Sequence, residues 1–224
     1  MITICTHKSP EILSKCLSSI RKFSLEKHRV VVVETSEDQL SKDVANNYDC
    51  EFINSHLKYE IGAYNTSFKN FPDEEEYFCF QDSVEIVKKD WEKMFRVPSC
   101  EHKMVGLCSY PLKEDPCQGC GKNIFESLFN KEFPVNSGYG VLTNNFYLPK
   151  YSKDKFIEFG IEKLVANNKA DTYATERILG AIAYYSCGYA STEEEVGKWV
   201  WDKTQFVKES GFTQYVYKHT LMRQ

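Results

Sequence analysis

The 224-residue sequence contains no apolar run long enough to cross a membrane. Its longest stretch without a charged residue, 133–149, holds two prolines and three asparagines, whereas a spanning helix needs about 20 mostly apolar residues. It also contains no basic run: 28 lysines and arginines face 32 aspartates and glutamates, and the isoelectric point is near 5.8. Such a chain lacks the positive surface that supplies most non-specific affinity for nucleic acid. A membrane span is therefore excluded, and nucleic-acid binding is disfavoured.

A second close cysteine pair is also missing. The nine cysteines are scattered and odd in number, and no apolar segment of a secretory signal precedes the first strand-like stretch, so we expect reduced thiols and a cytoplasmic protein. Cys117 and Cys120 form the one close pair, in a CQGC sequence. A structural zinc site usually takes four ligands, commonly from two such pairs. We therefore interpret 117–120 as a loop with incidental thiols.

Short apolar runs and amphipathic stretches alternate through residues 1–95. Runs at 2–6, 29–33, 50–53 and 76–80 are rich in β-branched or aromatic residues and predict buried strands. Between them, helical spacing of apolar residues predicts helices near Pro10, Ser36 and Ile61. Ser36 followed by Gln39 is typical of a capping box. The alternation predicts an α/β fold with a mostly parallel central sheet flanked by helices.

The second half of the chain is less regular. Strands are expected at 104–110 and 141–148, helices at 152–165 and 172–185, and an irregular region at 111–131. No repeat or low-complexity linker divides the chain. The sequence therefore predicts one domain over 1–224, with a front half at 1–100 and a back half at 101–224.

Polar residues directly follow three of the predicted strands. Ligands of open parallel sheets bind beyond the carboxyl ends of the strands, so these positions are the first candidates for a site. They are Thr6, His7, Glu34, Gln81, Asp82 and Ser83. Each is equally suited to a turn or cap, and for Ser36 capping is the preferred explanation. Glu34 and Asp82 stand out because an acid after an apolar strand lies at the rim of the sheet, where it can bind a hydroxyl, an N–H group or a metal.

Four segments, in this order, resemble motifs of the GT-A nucleotide-sugar glycosyltransferases, in particular the inverting family 2. Residues 30–36 (VVVVETS) stand where that family commonly has a valine run and Asp-Asp-Gly-Ser. Residues 62–65 (GAYN) stand at its Gly-x-x-Arg-Asn, and 75–82 (EEYFCFQD) resembles its Gly-Glu-Tyr-Ile-x-Phe-Leu-Asp. Residues 89–91 (KDW) resemble its Pro-x-Trp. The resemblance covers 1–95 well and the rest loosely.

The resemblance implies a single GT-A domain with a nucleotide-sugar-binding half at 1–100 and an acceptor-binding half at 101–224. It places Thr6, Glu34 and Asn65 around the nucleoside of a UDP- or GDP-sugar, with Glu34 accepting a hydrogen bond from the base or ribose. The full set of donor-binding residues that we expect is Thr6, His7, Glu34, Gly62, Asn65, Gln81, Asp82 and Ser83.

Asp82 matches the first acid of the family's Asp-x-Asp motif, which implies that it binds a divalent cation, Mn²⁺ or Mg²⁺. Here the motif reads DSV, so the second carboxylate is missing. Mg²⁺ can still rely on water and substrate phosphates, and Glu85 is an alternative ligand. The competing interpretation is that Asp82 caps a helix beginning near Val87. The family's arginine is replaced by Tyr64, which removes a cation that could face the diphosphate.

The family also carries Glu-Asp at the start of a late helix, with an arginine further on, and this chain has Ala170, Asp171 and Arg177. The resemblance therefore implies Asp171 as the base that takes a proton from the acceptor hydroxyl in an inverting displacement. Glu176 is the runner-up. Asp171 is equally suited to cap that helix.

These residues predict a glycosyltransferase that moves a sugar from a nucleotide-diphosphate donor to a glycan hydroxyl with inversion. Trp199 and Trp201 are the aromatic residues best suited to an exposed acceptor subsite. One alternative is a GT-A-like module that binds nucleotide or glycan but has lost catalysis, as the incomplete metal motif suggests. Another is a sugar-phosphate nucleotidyltransferase, which needs a glycine-rich loop after the first strand, and 6–10 (THKSP) contains no glycine.

Overall fold

The computed structural model describes residues 1–24, 27–96, 101–107, 109–115, 120–141, 144–191 and 216–218. Cys117, Trp199 and Trp201 lie outside the described residues. Among the helices of the described residues, none is both long enough and apolar enough to traverse a bilayer.

The strands are β1 (Ile2–Thr6), β2 (Val30–Glu34), β3 (Glu51–Asn54), β4 (Glu76–Gln81), β5 (Val84–Ile86), β6 (Met104–Gly106), β7 (Ser109–Pro111), β8 (Tyr139–Val141), β9 (Phe146–Pro149), β10 (Tyr189–Ser191) and β11 (Val216–Lys218). The α-helices are α1 (Pro10–Phe23), α2 (Gln39–Asn47), α3 (Tyr59–Asn70), α4 (Lys122–Phe129), α5 (Lys150–Phe159) and α6 (Lys169–Ser186). Short 3₁₀ turns lie at Trp91–Met94, Leu112–Glu114 and Ile161–Lys163.

Seven of these strands form one sheet in the order β10-β6-β9-β4-β1-β2-β3. The strands β3, β2, β1 and β4 are parallel to one another, and β6 is parallel to β10. Only β9 among these seven runs antiparallel, and it does so to both neighbours, β4 and β6. The predicted α/β fold with a mostly parallel sheet is therefore confirmed. The sheet draws strands from both halves of the chain.

Helices cover both faces of this sheet, and they give two apolar layers. Because successive side chains of a strand point to opposite faces, neighbouring valines of β2 enter different layers. Val31 packs in the layer that contains Tyr64 of α3 and Ile178 of α6. Val32 packs in the layer that contains Leu17 of α1. Burial on both faces explains why β2 is an unbroken apolar run rather than an alternating one.

The start of α2 differs from the prediction. Asp38 is the N-cap, and its carboxylate accepts a hydrogen bond from the backbone N–H of Ser41 at 2.9 Å. Ser36 instead donates its backbone N–H to Glu34, also at 2.9 Å. The predicted capping box of Ser36 and Gln39 is therefore wrong, because an aspartate two residues further on supplies the cap.

The segment after Asp82 also differs from the prediction. Residues Val84–Ile86 form β5, which pairs with β11, and the next helical turn is the 3₁₀ turn at Trp91–Met94. The helix expected near Val87 is not formed, so Asp82 does not cap it. Glu85 lies within β5 opposite Tyr217.

Four predictions for the back half are corrected by the structure. The apolar stretch 104–110 divides into β6, in the main sheet, and β7, which pairs with β8 in a separate two-stranded sheet. The stretch 141–148 also divides: Val141 ends β8, and Phe146 begins β9. The region 111–131, expected to be irregular, contains α4, and the predicted helix at 152–165 corresponds to α5, which ends at Phe159.

Helix α6 passes very close to β8. A Cβ atom built on Gly180 would lie 1.5 Å from the carbonyl oxygen of Tyr139. Real Cβ atoms never approach a backbone oxygen this closely, so only glycine fits at this crossing. The contact fixes α6 against β8, which pairs with β7.

Candidate functional site

The carboxyl ends of β1, β2 and β4 lie side by side, and the polar residues that end them form one edge. Thr6 is in register with Glu34, and Cys5 is in register with Gln81. The Thr6 hydroxyl donates a hydrogen bond to Asp82 Oδ2 at 2.7 Å, and both side chains are buried. The structure thus brings Thr6, Glu34, Gln81 and Asp82 together at the edge where the sequence placed a site.

Glu34 is fully buried at this edge. Its Oε1 accepts hydrogen bonds from the backbone N–H and the hydroxyl of Ser36. Its Oε2 is buried and has no hydrogen-bond partner among the described residues. Because a buried carboxylate oxygen without a partner is destabilising, this atom is suited to accept a hydrogen bond from a ligand.

His7 and Ser83 flank the edge in different surroundings. His7 is exposed, and its Nδ1 lies 3.1 Å from the Thr35 hydroxyl. Ser83 is buried beside Asp82. Lys8 has a φ of 50°, in the left-handed region, so the chain turns sharply as it leaves β1. His7 is therefore the predicted donor-binding residue most open to solvent, whereas Ser83 is buried.

Gly62 and Asn65 of α3 make packing contacts. A Cβ on Gly62 would lie 2.7 Å from the carbonyl carbon of Leu57, so α3 needs glycine to approach the preceding loop. The side-chain amide of Asn65 donates to the carbonyl of Ile161 at 3.3 Å and, more weakly, to that of Leu164 at 3.5 Å. These contacts connect α3 to the segment after α5, and the predicted donor-binding roles of both residues stay predictions.

Glu60 also belongs to this edge, although no motif indicated it. Its Oε1 accepts a hydrogen bond from the side-chain amide of Gln81, and its Oε2 is buried without a partner among the described residues. The backbone N–H of Gln81 donates to Asn145 Oδ1 at 2.8 Å, which connects the edge to β9. No sequence signal indicates Glu60 as a site residue, because an acid in the first turn of a helix is favoured by the helix dipole alone.

Tyr64, which stands where the resembling family has arginine, is directed into the core. Its side chain is fully buried, and its ring meets that of Phe146 edge to face at 5.3 Å. Burial raises the pKa of Tyr64 well above its usual value, and the nearby Cys5, Cys79, Glu60 and Asp82 add to this increase. The phenol therefore stays neutral and does not replace the cation that the arginine would supply.

The two candidate bases lie in the N-terminal half of α6. Asn168 is the N-cap, and Asp171 is the third residue of the helix. Asp171 Oδ2 accepts hydrogen bonds from the backbone N–H groups of Asn167 at 2.7 Å and Asn168 at 3.3 Å. Asp171 thus completes a capping box rather than being the N-cap itself, and its side chain is only partly buried.

Two separate hydrogen bonds, made by the adjacent residues Asn144 and Asn145, link α6 to the end of β4. The Asn144 amide donates to the Thr175 hydroxyl at 3.3 Å, and the neighbouring Asn145 accepts from Gln81. Glu176, the runner-up base, is the next residue along α6 and is 9% exposed. The back half of the chain is therefore linked to the end of β4 through Asn144 and Asn145, and Thr175 is the α6 residue that contacts this pair.

Arg177, the residue after Glu176, forms a buried ion pair with Asp115. Its Nε and Nη2 donate to the two carboxylate oxygens of Asp115 at 2.6 and 2.9 Å. Burial by itself lowers the pKa of Arg177, but the hydrogen bonds and charge of Asp115, with Tyr110 and Glu176, raise it above its usual value. Arg177 therefore holds α6 against the segment after β7, since a bidentate pair of this kind is strong and directional.

The described residues do not form a metal cage. Among them, no group of three or more histidine, cysteine, aspartate or glutamate side chains is arranged to hold an ion. Asp82 already accepts a hydrogen bond from Thr6. A cation at Asp82 would depend on donor phosphates and water for most of its ligands. The described residues therefore do not hold a metal without the donor. Dependence on a metal that arrives with the donor's diphosphate stays a prediction.

No protein-family model matches the sequence, and no curated protein sequence is similar to it. Several solved structures are similar to the chain. The galactosyltransferase LgtC in complex with donor and acceptor sugar analogs superposes with a TM-score of 0.56 at 8% identity, over 99% of this chain and 87% of that one. An active-site mutant of LgtC gives a TM-score of 0.55 at 9% identity, over 98% and 87%.

A third similar structure is the bifunctional glycosyltransferase WbbM in its apo form, with a TM-score of 0.52 at 12% identity. It is aligned over 84% of this chain and 38% of that one. At such identities the likeness concerns the fold, and the inverting family 2 stays a prediction. The sheet order, the helices on both faces and these structural neighbours together show that the chain has the fold of the GT-A glycosyltransferases.

Proposed function

We propose that this protein is a glycosyltransferase that moves a sugar from a nucleotide-diphosphate donor to a hydroxyl of a glycan acceptor, with inversion. The observation that carries the proposal is the edge at which Thr6 holds Asp82 and a fully buried Glu34 keeps one oxygen unpaired. It lies at the carboxyl ends of parallel strands, where α/β sheets bind their ligands. LgtC, which has the same fold, was crystallised with donor and acceptor sugar analogs.

Glu34 recognises the nucleoside in this proposal. Ser36 fixes Oε1, so Oε2 is oriented before the donor arrives and accepts an N–H of uracil or guanine or a ribose hydroxyl. A pre-oriented acceptor loses little conformational entropy on binding. Thr6 orients Asp82 next to it. His7 lies exposed at the rim, and Ser83 is buried beside Asp82.

The transfer step is a single displacement. A carboxylate of α6 takes the proton of the acceptor hydroxyl while that oxygen forms a bond to the anomeric carbon. The bond from that carbon to the diphosphate breaks on the opposite face, and the nucleoside diphosphate leaves with the electron pair. Asp171 is the proposed base, because one of its oxygens is held by two backbone N–H groups and the other can receive the proton. Glu176 is the alternative base.

Calorimetric titration with UDP, GDP and their sugars tests the donor site. We expect one nucleotide to bind with a micromolar Kd, and Glu34→Gln to weaken it about 10- to 100-fold, because a hydrogen bond to a charged group is lost. The exposed Glu162 provides the matched control, Glu162→Gln, with unchanged affinity. No binding across a panel extended to TDP- and CMP-sugars would contradict the donor proposal, as would equal affinities of wild type and Glu34→Gln.

Repeating the titration with Mn²⁺ tests the proposed metal ligand. We expect Mn²⁺ to tighten donor binding severalfold in the wild type and to have no effect in Asp82→Ala. Thr6→Val is the control, since it removes the hydrogen bond to Asp82 but keeps the carboxylate. If Thr6→Val abolishes the Mn²⁺ effect as fully as Asp82→Ala does, Asp82 acts through this hydrogen bond and not as a ligand. Normal binding with a lower Tm in Asp82→Ala assigns it a structural role.

A GT-A-like module that binds nucleotide or glycan without catalysis is the second candidate function. It is favoured by the engagement of Asp171 in the capping box and by the lack of a metal cage among the described residues. Nucleotide binding with neither transfer nor hydrolysis of the bound sugar nucleotide would select this alternative.

A further inference from the structure

The edge has two sides, which follow from the alternation of side chains along the strands. Thr6 and Glu34 continue the rows of Ile4 and Val32, which pack in the layer beneath α1. Gln81 continues the row of Cys79, which packs in the layer beneath α3. Thr6 and Glu34, proposed to lie at the nucleoside, are therefore on the α1 side. Gln81 and its partner Glu60 lie on the α3 side.

On the α3 side, Glu60 is held in one orientation with one oxygen available. The side-chain amide of Gln81 donates to Oε1, and the backbone of Gln81 is itself fixed by Asn145. Oε2 is buried and unpaired among the described residues. One helical turn further along α3, the buried hydroxyl of Tyr64 also lacks a partner among those residues. Among the described residues, Glu60 Oε2 is thus a buried acceptor without a partner beside Gln81 at the end of β4.

The chemistry of this side favours a hydroxyl ligand over a phosphate. A carboxylate oxygen only accepts hydrogen bonds, and it repels an anion. The neighbouring phenol of Tyr64 is neutral, and the nearest cation of α3 in sequence, Lys58, is exposed at the N-cap of the helix. A sugar presents several hydroxyl donors, whereas a diphosphate at neutral pH presents acceptors only.

We propose that Glu60 determines which donor sugar is accepted, by receiving a hydrogen bond from a sugar hydroxyl at Oε2 while Gln81 holds Oε1. This inference rests on the proposed donor function and adds the sugar-binding side of the same edge. The nucleoside binds along Glu34 on the α1 side, and the sugar binds against Glu60 beyond the end of β4. Tyr64, one turn further along α3, is directed into the core against Phe146 and does not contact the donor.

The test compares two affinities in the full chain, one for the nucleoside diphosphate and one for its sugar nucleotide, measured by calorimetry with UDP, UDP-glucose, UDP-galactose, UDP-N-acetylglucosamine, GDP and GDP-mannose. For the nucleotide that binds, we expect Glu60→Gln to raise the Kd of the sugar nucleotide about tenfold. The Kd of the diphosphate alone stays within twofold. Glu60→Asp keeps the charge, but its shorter side chain moves the carboxylate oxygen away from the sugar. We expect it to weaken the sugar nucleotide selectively, as Glu60→Gln does. Tyr64→Phe and Glu162→Gln leave both affinities unchanged.

The outcomes separate the two proposals. If the wild type binds no nucleotide and no sugar nucleotide, the donor function itself is overturned, and the role of Glu60 with it. If the wild type binds both and Glu60→Gln weakens both equally or neither, only the role of Glu60 is overturned. A deoxy analogue that lacks the recognised hydroxyl gives equal affinities for wild type and Glu60→Gln if the inference is right. If the tenfold difference persists for every deoxy analogue, the inference is wrong.

Discussion

Replacing Gly180 by alanine is expected to lower the free energy of unfolding by about 3 kcal/mol, at the upper end of the usual range for overpacked cores. The added methyl group would lie 1.5 Å from the carbonyl oxygen of Tyr139, so the backbone of α6 or of β8 must move. In an ordinary helix interior the same change would be stabilising by about 1 kcal/mol. A lower denaturant midpoint for Gly180→Ala therefore indicates that α6 and β8 approach closely, whereas a higher midpoint indicates that they do not.

Gly188→Ala is the matched control for this substitution. Gly188 has a φ of 82°, but a Cβ there would meet only the Lys103 side chain at an ordinary 3.5 Å. Its replacement is destabilising through backbone conformation alone, by roughly 1–2 kcal/mol. A Gly180→Ala protein as stable as the wild type, or less affected than Gly188→Ala, would show that α6 and β8 are not in contact as described.

Asp171→Asn is expected to reduce turnover about 10²- to 10⁴-fold, which is the usual contribution of a positioned general base. Asparagine has nearly the same shape and can still accept a hydrogen bond from the backbone of Asn167, but it cannot take a proton. We therefore expect the Kd of the sugar nucleotide to stay within twofold. Release of the nucleoside diphosphate, measured with saturating donor and acceptor, checks the loss of turnover.

The structural role of Asp171 requires its own control, which α6 provides. Asn168 caps the helix through its side-chain oxygen, which accepts from Ala170 and Asp171. Asn168→Ala disturbs the same capping box but keeps the carboxylate, so we expect about 1 kcal/mol of lost stability with turnover reduced no more than severalfold. Equal losses of turnover in Asn168→Ala and Asp171→Asn would remove Asp171 as the base. If Glu176→Gln alone abolishes turnover, Glu176 is the base.

The central strands could be predicted from the sequence because burial on both faces leaves an unbroken apolar run. The run at 30–33 and the aromatic run at 77–80 each coincide with a strand of the parallel core. The division of 104–110 into β6 and β7 could not be predicted. The two strands pair with partners far away in the sequence, β9 and β8, and local pattern carries no information about the choice.

Polar residues were harder to interpret because several of them suit the same local role. Ser36 and Asp38 are both favoured caps, and the structure uses Asp38 because Ser36 is engaged by Glu34. The position of Glu34 at the edge followed from strand periodicity. Its unpaired oxygen did not, since that depends on which neighbours fold around it. Glu60 likewise could not be predicted as a site residue, because its position is defined by a hydrogen bond from Gln81, which is distant in the sequence.

The place of β9 in the sheet has a consequence for the order in which the chain folds. Although it is synthesised after β6, it lies between β4 and β6, and it pairs Phe78 with Tyr147. While the ribosome makes the intervening segment, β4 has a free, strongly apolar edge of the kind that promotes association between nascent chains. Completion of the sheet is therefore a late, long-range event, and long-range pairing is slow. Newly made chains thus depend on β9 for protection from aggregation.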